Sequence, residues 1–195
     1  GAMSFINYAS REINCKIVYY GPPRCGKSTS LRHIYGEVKK GAKGEMISLA
    51  HDDNRTLFFD FVPVNLGKIG DYTIRLHLYT VPGDVGYKQS RALISKGVDG
   101  LVFMADSQLE MMEGNFEALA DLKEILAGED HKWGEIPCVY QYNKRDLKNA
   151  VPIKDLSGYL NQSGFQEFST IATEGSGVFD AFKAISKEVL KGLKN

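Results

Sequence analysis

Gly21-Pro22-Pro23-Arg24-Cys25-Gly26-Lys27-Ser28 is the stretch on which the reading of this chain turns. It fits the pattern Gly-x-x-x-x-Gly-Lys-Ser/Thr. It follows directly on Lys16–Tyr20, a short β-rich run (KIVYY), and leads into helical spacing through Ile34 and Val38. Strand, glycine loop, helix is the order in which such a loop wraps backbone N–H groups around phosphate oxygens, backed by the positive end of the helix. In that setting Lys27 reaches the β- and γ-phosphates and the Ser28 hydroxyl is a magnesium ligand. Gly21, Arg24, Cys25, Gly26 and Thr29 complete the phosphate-side candidates. The plainer alternative is a glycine turn that starts an ordinary helix.

Working outward, strands and helices alternate. Residues 39–54 are polar, glycine-dotted and weakly periodic, and read as a loop between strong elements. Leu57–Val64 and Tyr72–Thr80 are strands separated by a Gly/Asn/Asp turn region, a hairpin signature. In the second, Ile74, Leu76 and Leu78 alternate with Arg75 and His77, so one face is expected buried and the other polar. Gly100–Ala105 and Pro137–Tyr142 are apolar runs suited to central strands, and Phe165–Ile171 is a shorter strand. Met112–Leu126 has helical spacing at Phe116, Leu119, Leu122 and Leu126. Gly177–Leu193 has it at Phe179, Phe182, Ile185 and Val189. The pattern predicts one α/β domain over residues 1–195: a mostly parallel six-stranded sheet with one antiparallel hairpin and helices on both faces. Gly1-Ala2-Met3 reads as a cloning remnant.

A second motif, Asn143-Lys144-Arg145-Asp146 (NKxD), follows the strand Val139-Tyr140-Gln141-Tyr142. The Asp146 carboxylate offers two acceptors, which match the ring N–H and exocyclic amine of guanine. Adenine lacks that paired donor edge and would leave a carboxylate unpaired. The Lys144 stem can lie against a base, and Asn143 can tie this loop to the phosphate loop. Together the motifs predict guanine-nucleotide binding with magnesium.

Composition narrows the classes further. Lys+Arg and Asp+Glu balance at 24 each, so no basic field for nucleic acid exists. The cysteines, Cys15, Cys25 and Cys138, lack metal-ligand spacing and fit reduced thiols in a cytoplasm. Cys15 and Cys138 read as core residues, and Cys25, in the loop, as a candidate reactive thiol. Apolar runs are too short to span a membrane, and neither a secretion signal nor a prenylation box is visible, so no membrane anchor is expected.

NCKIVYYGP (Asn14–Pro22), KGEM (Lys43–Met46), RTLFFDF (Arg55–Phe61), LYTVPG (Leu78–Gly83), GVDGLVF (Gly97–Phe103), NKRDL (Asn143–Leu147) and ATEGSGVF (Ala172–Phe179) resemble the Ras-like small GTPase superfamily, and within it the bacterial MglA group. The resemblance implies a Ras-like P-loop fold. By it Thr56 matches the switch I threonine that faces magnesium and the γ-phosphate, and Arg55 an arginine supplied in cis for hydrolysis. Gly83 matches the switch II glycine whose N–H senses the γ-phosphate. Ala172 and Thr173 match the last guanine loop. Thr80 stands where most Ras-like proteins carry the aspartate of DxxG, a change the MglA group shares. Asp60 is a candidate substitute acid, and Asp106 reads as a local cap.

Two departures lie on the hydrolysis side. Asp84 stands where the water-orienting glutamine usually follows the switch II glycine, and Pro23 stands where glycine usually adjoins the γ-phosphate. A negative side chain beside the γ-phosphate, and a ring without an N–H, both work against turnover. The expectation is a GTP/GDP switch of bacterial polarity and motility, cytoplasmic and recruited to cell poles, with slow intrinsic hydrolysis. Its expected partners are a Roadblock-domain GTPase-activating protein, a receiver-domain polarity factor and tetratricopeptide adaptors. The alternative is a GTPase-fold scaffold that hydrolyses little or nothing. An ATP-using P-loop enzyme is disfavoured by NKxD.

Overall fold

The computed structural model describes residues 5–38, 42–44, 47–48, 60–84 and 86–194. In chain order the elements are β1 (Phe5–Asn7), β2 (Glu12–Tyr20), α1 (Lys27–Glu37), β3 (Ile47–Ser48), β4 (Asp60–Ile69), β5 (Tyr72–Thr80) and α2 (Lys88–Ser95). Then follow β6 (Gly100–Asp106), a short 3-10 turn at Leu109–Met111, α3 (Met112–Gly128), β7 (Cys138–Asn143), α4 (Ile153–Leu160), β8 (Gln166–Ser169) and α5 (Val178–Lys194).

Among the described residues these strands form one sheet in the order β3-β4-β5-β2-β6-β7-β8, with β1 antiparallel to β2. The six strands read from the sequence are β2 and β4 to β8. β2 pairs in parallel with β5 and β6, and β6–β7 and β7–β8 are parallel too. The β4–β5 pair is the antiparallel hairpin. Two further short strands pair antiparallel, β1 with β2 and β3 with β4.

The hairpin turn is tighter than the sequence suggests. Asn65-Leu66-Gly67 sits inside β4 as a bulge, where the register shifts between Asn65 and Gly67. Pairing resumes to Ile69 opposite Tyr72, leaving Gly70 and Asp71 as a two-residue turn.

The side-chain alternation of β2 divides the core between the two faces of the sheet. Ile17 and Tyr19 pack with Leu31 and Ile34 of α1 and Phe182, Ile185 and Val189 of α5. Val18 and Tyr20 pack with Ile94 of α2 and Leu119, Leu122 and Leu126 of α3. β6 and β7 are buried along their whole length, as strands covered on both faces must be. On β5, Ile74, Leu76 and Leu78 are buried and alternate with partly exposed neighbours.

Phe116 departs from its expected core position. It is 50% exposed and meets Tyr159 of α4 edge-on, with ring centroids 5.9 Å apart. The inward stripe of α3 runs through Asn115, Leu119, Leu122 and Leu126, and Phe116 is turned one residue off it. Asn115 takes the inner position because its amide bonds both backbone groups of Asp106, accepting from the N–H at 2.9 Å and donating to the carbonyl at 2.8 Å.

Candidate functional site

The C-terminal ends of β2, β6 and β7 open onto the loops that carry the motifs, the position where parallel α/β sheets bind ligands. Gly26 is the N-cap of α1, with φ 115°, a left-handed conformation suited to glycine. A Cβ there would also run into the Asn143 side-chain amide. No side chain caps α1 and no acidic residue stands in its first turn, so its leading N–H groups face outward with positive charge. They border a cavity of about 180 Å³ lined by Arg24, Gly26, Lys27, Ser28 and Thr29. Such a constellation suits an anion.

Lys27 is 7% exposed, and its ammonium donates to the carbonyls of Gly21 at 2.8 Å and Pro22 at 2.7 Å. Burial pulls its pKa below the ordinary lysine value. Its Nζ also lies 3.7 Å from Cys25 Sγ. Cys25 is buried, and burial pushes its thiol pKa up. This overturns the expectation of a reactive thiol: the thiolate is disfavoured and access is closed.

A second cavity, about 330 Å³, adjoins the first through Arg24, Gly26 and Thr29. Asn143, Lys144, Asp146, Ala172 and Thr173 converge on it, together with Leu147 and Ile171, which the sequence reading did not single out. These two supply apolar wall beside the polar groups, as a flat heterocycle requires. Each directly follows or precedes a motif residue, which is the signal that could have found them.

Asn143 links the parts of this cleft. Its Nδ2 donates to Cys25 O at 2.7 Å, and its Oδ1 accepts from Ala172 N–H at 2.9 Å and Thr170 Oγ1 at 3.1 Å. The Ala172 N–H is therefore engaged by Asn143, while Thr173 is exposed on the cleft wall. Lys144 has φ 68° and pairs with Asp106 at 2.7 Å. Asp106 Oδ1 also accepts from the Gln108 N–H at 3.1 Å, so it is both the local cap and the partner of Lys144. Asp146 is exposed at the cleft margin.

A third cavity, about 460 Å³, lies between the Gly21–Arg24 loop, Gly83–Asp84 and α3. Gly83 fits because it lacks a side chain: a Cβ would lie 2.7 Å from Pro22 C and Pro23 Cα. The Asp84 carboxylate pairs with Arg24 at 3.5 Å, both side chains being largely exposed. Behind them stands Arg91, 9% exposed, which the sequence reading missed. It shares the inward face of α2 with Ile94 and Ser95, a face that eight residues of sequence do not reveal.

Thr80 ends β5 buried, opposite Tyr19 of β2. Asp60 opens β4 opposite Ser48. Arg55, Thr56 and most of the expected switch I span (about Gly41 to Thr56) lie outside the described residues. Among the described residues no group of three His, Cys, Asp or Glu side chains could hold a metal ion.

No protein-family model matches the chain. The chain is 55% identical, over 192 residues, to the mutual gliding-motility protein MglA of Myxococcus xanthus (strain DK1622), and the match covers 98% of each protein.

Proposed function

This chain belongs to the MglA group of Ras-like small GTPases, and from that premise we propose that it is a GTP/GDP-binding switch that regulates gliding motility and cell polarity in a bacterium. The observation that carries the reading is the convergence of Asn143, Lys144, Asp146, Ala172 and Thr173 on one cleft that runs into the N-terminus of α1. Base recognition is assigned to Asp146, whose carboxylate pairs with the guanine edge, and to Lys144, whose stem covers the base. Gly21, Arg24, Cys25, Gly26, Lys27, Ser28 and Thr29 hold the phosphates. A scaffold that had abandoned nucleotide would gain nothing from keeping these groups together.

Magnesium fits the donor set. The candidate ligands are Ser28, which lines the cavity at the N-terminus of α1, and Thr56 of the sequence; both are hydroxyl donors and not carboxylates. Mg²⁺ retains waters and shares phosphate oxygens, so a site built this way suits it. When bound it supplies charge neutralisation between the β- and γ-phosphates. Gly83 meets the γ-phosphate through its N–H, and Arg55 stabilises the charge that develops on hydrolysis. Asp84 and Pro23 keep intrinsic turnover slow. The switch segments then form the surface for a Roadblock-domain GTPase-activating protein, a receiver-domain polarity factor and tetratricopeptide adaptors. The protein acts in the cytoplasm and is recruited to cell poles. No helix among the described residues is long and apolar enough to cross a membrane.

The test is nucleotide content and single-turnover hydrolysis with Mg²⁺, for the parent protein and Lys27→Ala. GTP that binds, turns over slowly and depends on Lys27 supports the switch. Absence of any guanine-nucleotide binding in the parent sinks it.

A further inference from the structure

Arg91 reaches the Gly83 loop from beneath. Its Nη1 donates to the carbonyls of Pro82 at 3.1 Å and Asp84 at 2.8 Å, the residues on either side of Gly83. Its Nε donates to Asp121 Oδ2 of α3 at 2.8 Å. Asp121 accepts a second bond from the Tyr20 hydroxyl, on the residue that immediately precedes the phosphate loop. A guanidinium is planar and its donors are fixed in a fork, so two carbonyls and a carboxylate together set its plane. The Pro82–Gly83 peptide, which carries the Gly83 N–H, and the Asp84 carbonyl are thereby held from one side. On the other side Gly83 abuts the Pro22–Pro23 peptide, with no room for a Cβ.

We propose that Arg91 is the positioning residue for triphosphate recognition: it holds the Gly83 peptide against the phosphate loop, and Asp121 and Tyr20 hold it in place. The proposal rests on the reading of Gly83 as the group that meets the γ-phosphate. Arg91 itself touches neither base nor phosphate. It acts through the carbonyls that flank Gly83, and so selects GTP over GDP without contributing to binding of the part they share. An arginine that served only to neutralise Asp121 would not discriminate between the two nucleotides.

The experiment measures dissociation constants for GDP and for a non-hydrolysable GTP analogue with Mg²⁺. It compares the parent, Arg91→Lys, and the double variant Arg91→Gln with Asp121→Asn. Lysine keeps the charge but has one nitrogen, so it cannot serve the two carbonyls and Asp121 through separate donors as Nη1 and Nε of arginine do. The double variant removes both charges and leaves no buried carboxylate unpaired, so it preserves the fold if the single variant does not. In both variants the analogue is expected to bind about tenfold or more weaker, the scale of one lost charge-assisted hydrogen bond, with GDP affinity held. Unchanged analogue binding, or equal weakening for both nucleotides, overturns the proposal. A parent protein that binds neither nucleotide overturns the switch reading and this proposal with it, and does so before any variant is compared.

Discussion

The Asn143 side-chain amide donates to the Cys25 carbonyl at 2.7 Å and so joins two loops that lie 118 positions apart in sequence. The same amide accepts from Ala172, which brings a third loop into the joint. All of these groups are buried, and none has water to turn to if Asn143 is removed. Asn143→Ala leaves a carbonyl and an N–H without partners, at about 1–3 kcal/mol each. The expected result is a loss of about 2–6 kcal/mol in urea denaturation without nucleotide, with guanine-nucleotide affinity falling as well. A variant as stable as the parent would show that the joint does not organise the cleft.

Lys144 and Asp106 form an ion pair at 2.7 Å in which the carboxylate is almost fully buried. Lys144→Ala removes both the stem and the counter-charge of that carboxylate, which keeps its Gln108 hydrogen bonds, and loss of one partner of a buried pair costs on the order of 3–5 kcal/mol. Adding Asp106→Asn removes the stranded charge, and the double variant is expected to recover most of the stability. Nucleotide affinity separates the two roles of Lys144. If its stem also covers the base, the stable double variant still binds GDP weakly. If affinity returns with stability, the lysine serves only Asp106.

Cys138 gives the alkaline limb of the stability curve a definite sign. Burial pushes its thiol from 9.0 to about 12. Below pH 9 folded and unfolded chains both carry the proton, and the contribution is fully present. Above pH 9 the unfolded chain releases it first, so stability falls as pH rises towards 12, by about 1.4 kcal/mol per pH unit for one group. Burial moves Cys25 in the same direction. Cys138→Val removes one titrating group of similar volume. Urea midpoints taken from below pH 9 to about pH 11 should fall less steeply in this variant than in the parent. Equal slopes would mean that the thiol is solvated in the folded state.

How much of this was legible in the sequence depends on how far apart the cooperating residues are. The phosphate loop and NKxD are contiguous because a single turn of chain must present several groups to one ligand. β6 and β7 were legible as unbroken apolar runs because both their faces are covered. α2 and α4 have eight residues each, too few turns to show a helical period, and β1, with three residues, shows no alternation. The Asn65-Leu66-Gly67 bulge has the composition of a turn, and only pairing with β5 distinguishes them. Asn115 takes the inward position expected of Phe116 because its amide is satisfied by both backbone groups of Asp106. Arg91, Asp121 and Tyr20 come from three separate elements, and no spacing in the chain announces their meeting.

Asp84 and Pro23 meet the hydrolysis side of the site in different ways, and substitution separates them. The Asp84 side chain stands at the Gly83 loop and pairs with Arg24 at 3.5 Å, an exposed ion pair that contributes little to stability. Asp84→Gln exchanges an acceptor-only carboxylate for a side chain that can both accept from and donate to an attacking water. Stability should hold, GDP affinity should hold, and single-turnover GTP hydrolysis should rise by about tenfold or more. Pro23 contributes backbone against which Gly83 packs, so Pro23→Gly restores an N–H and loosens that contact at the same time. Its effect on hydrolysis should be smaller than that of Asp84→Gln, and the two together should exceed either alone. If Asp84→Gln turns over no faster than the parent, the carboxylate is not what limits hydrolysis, and the proline is the remaining brake.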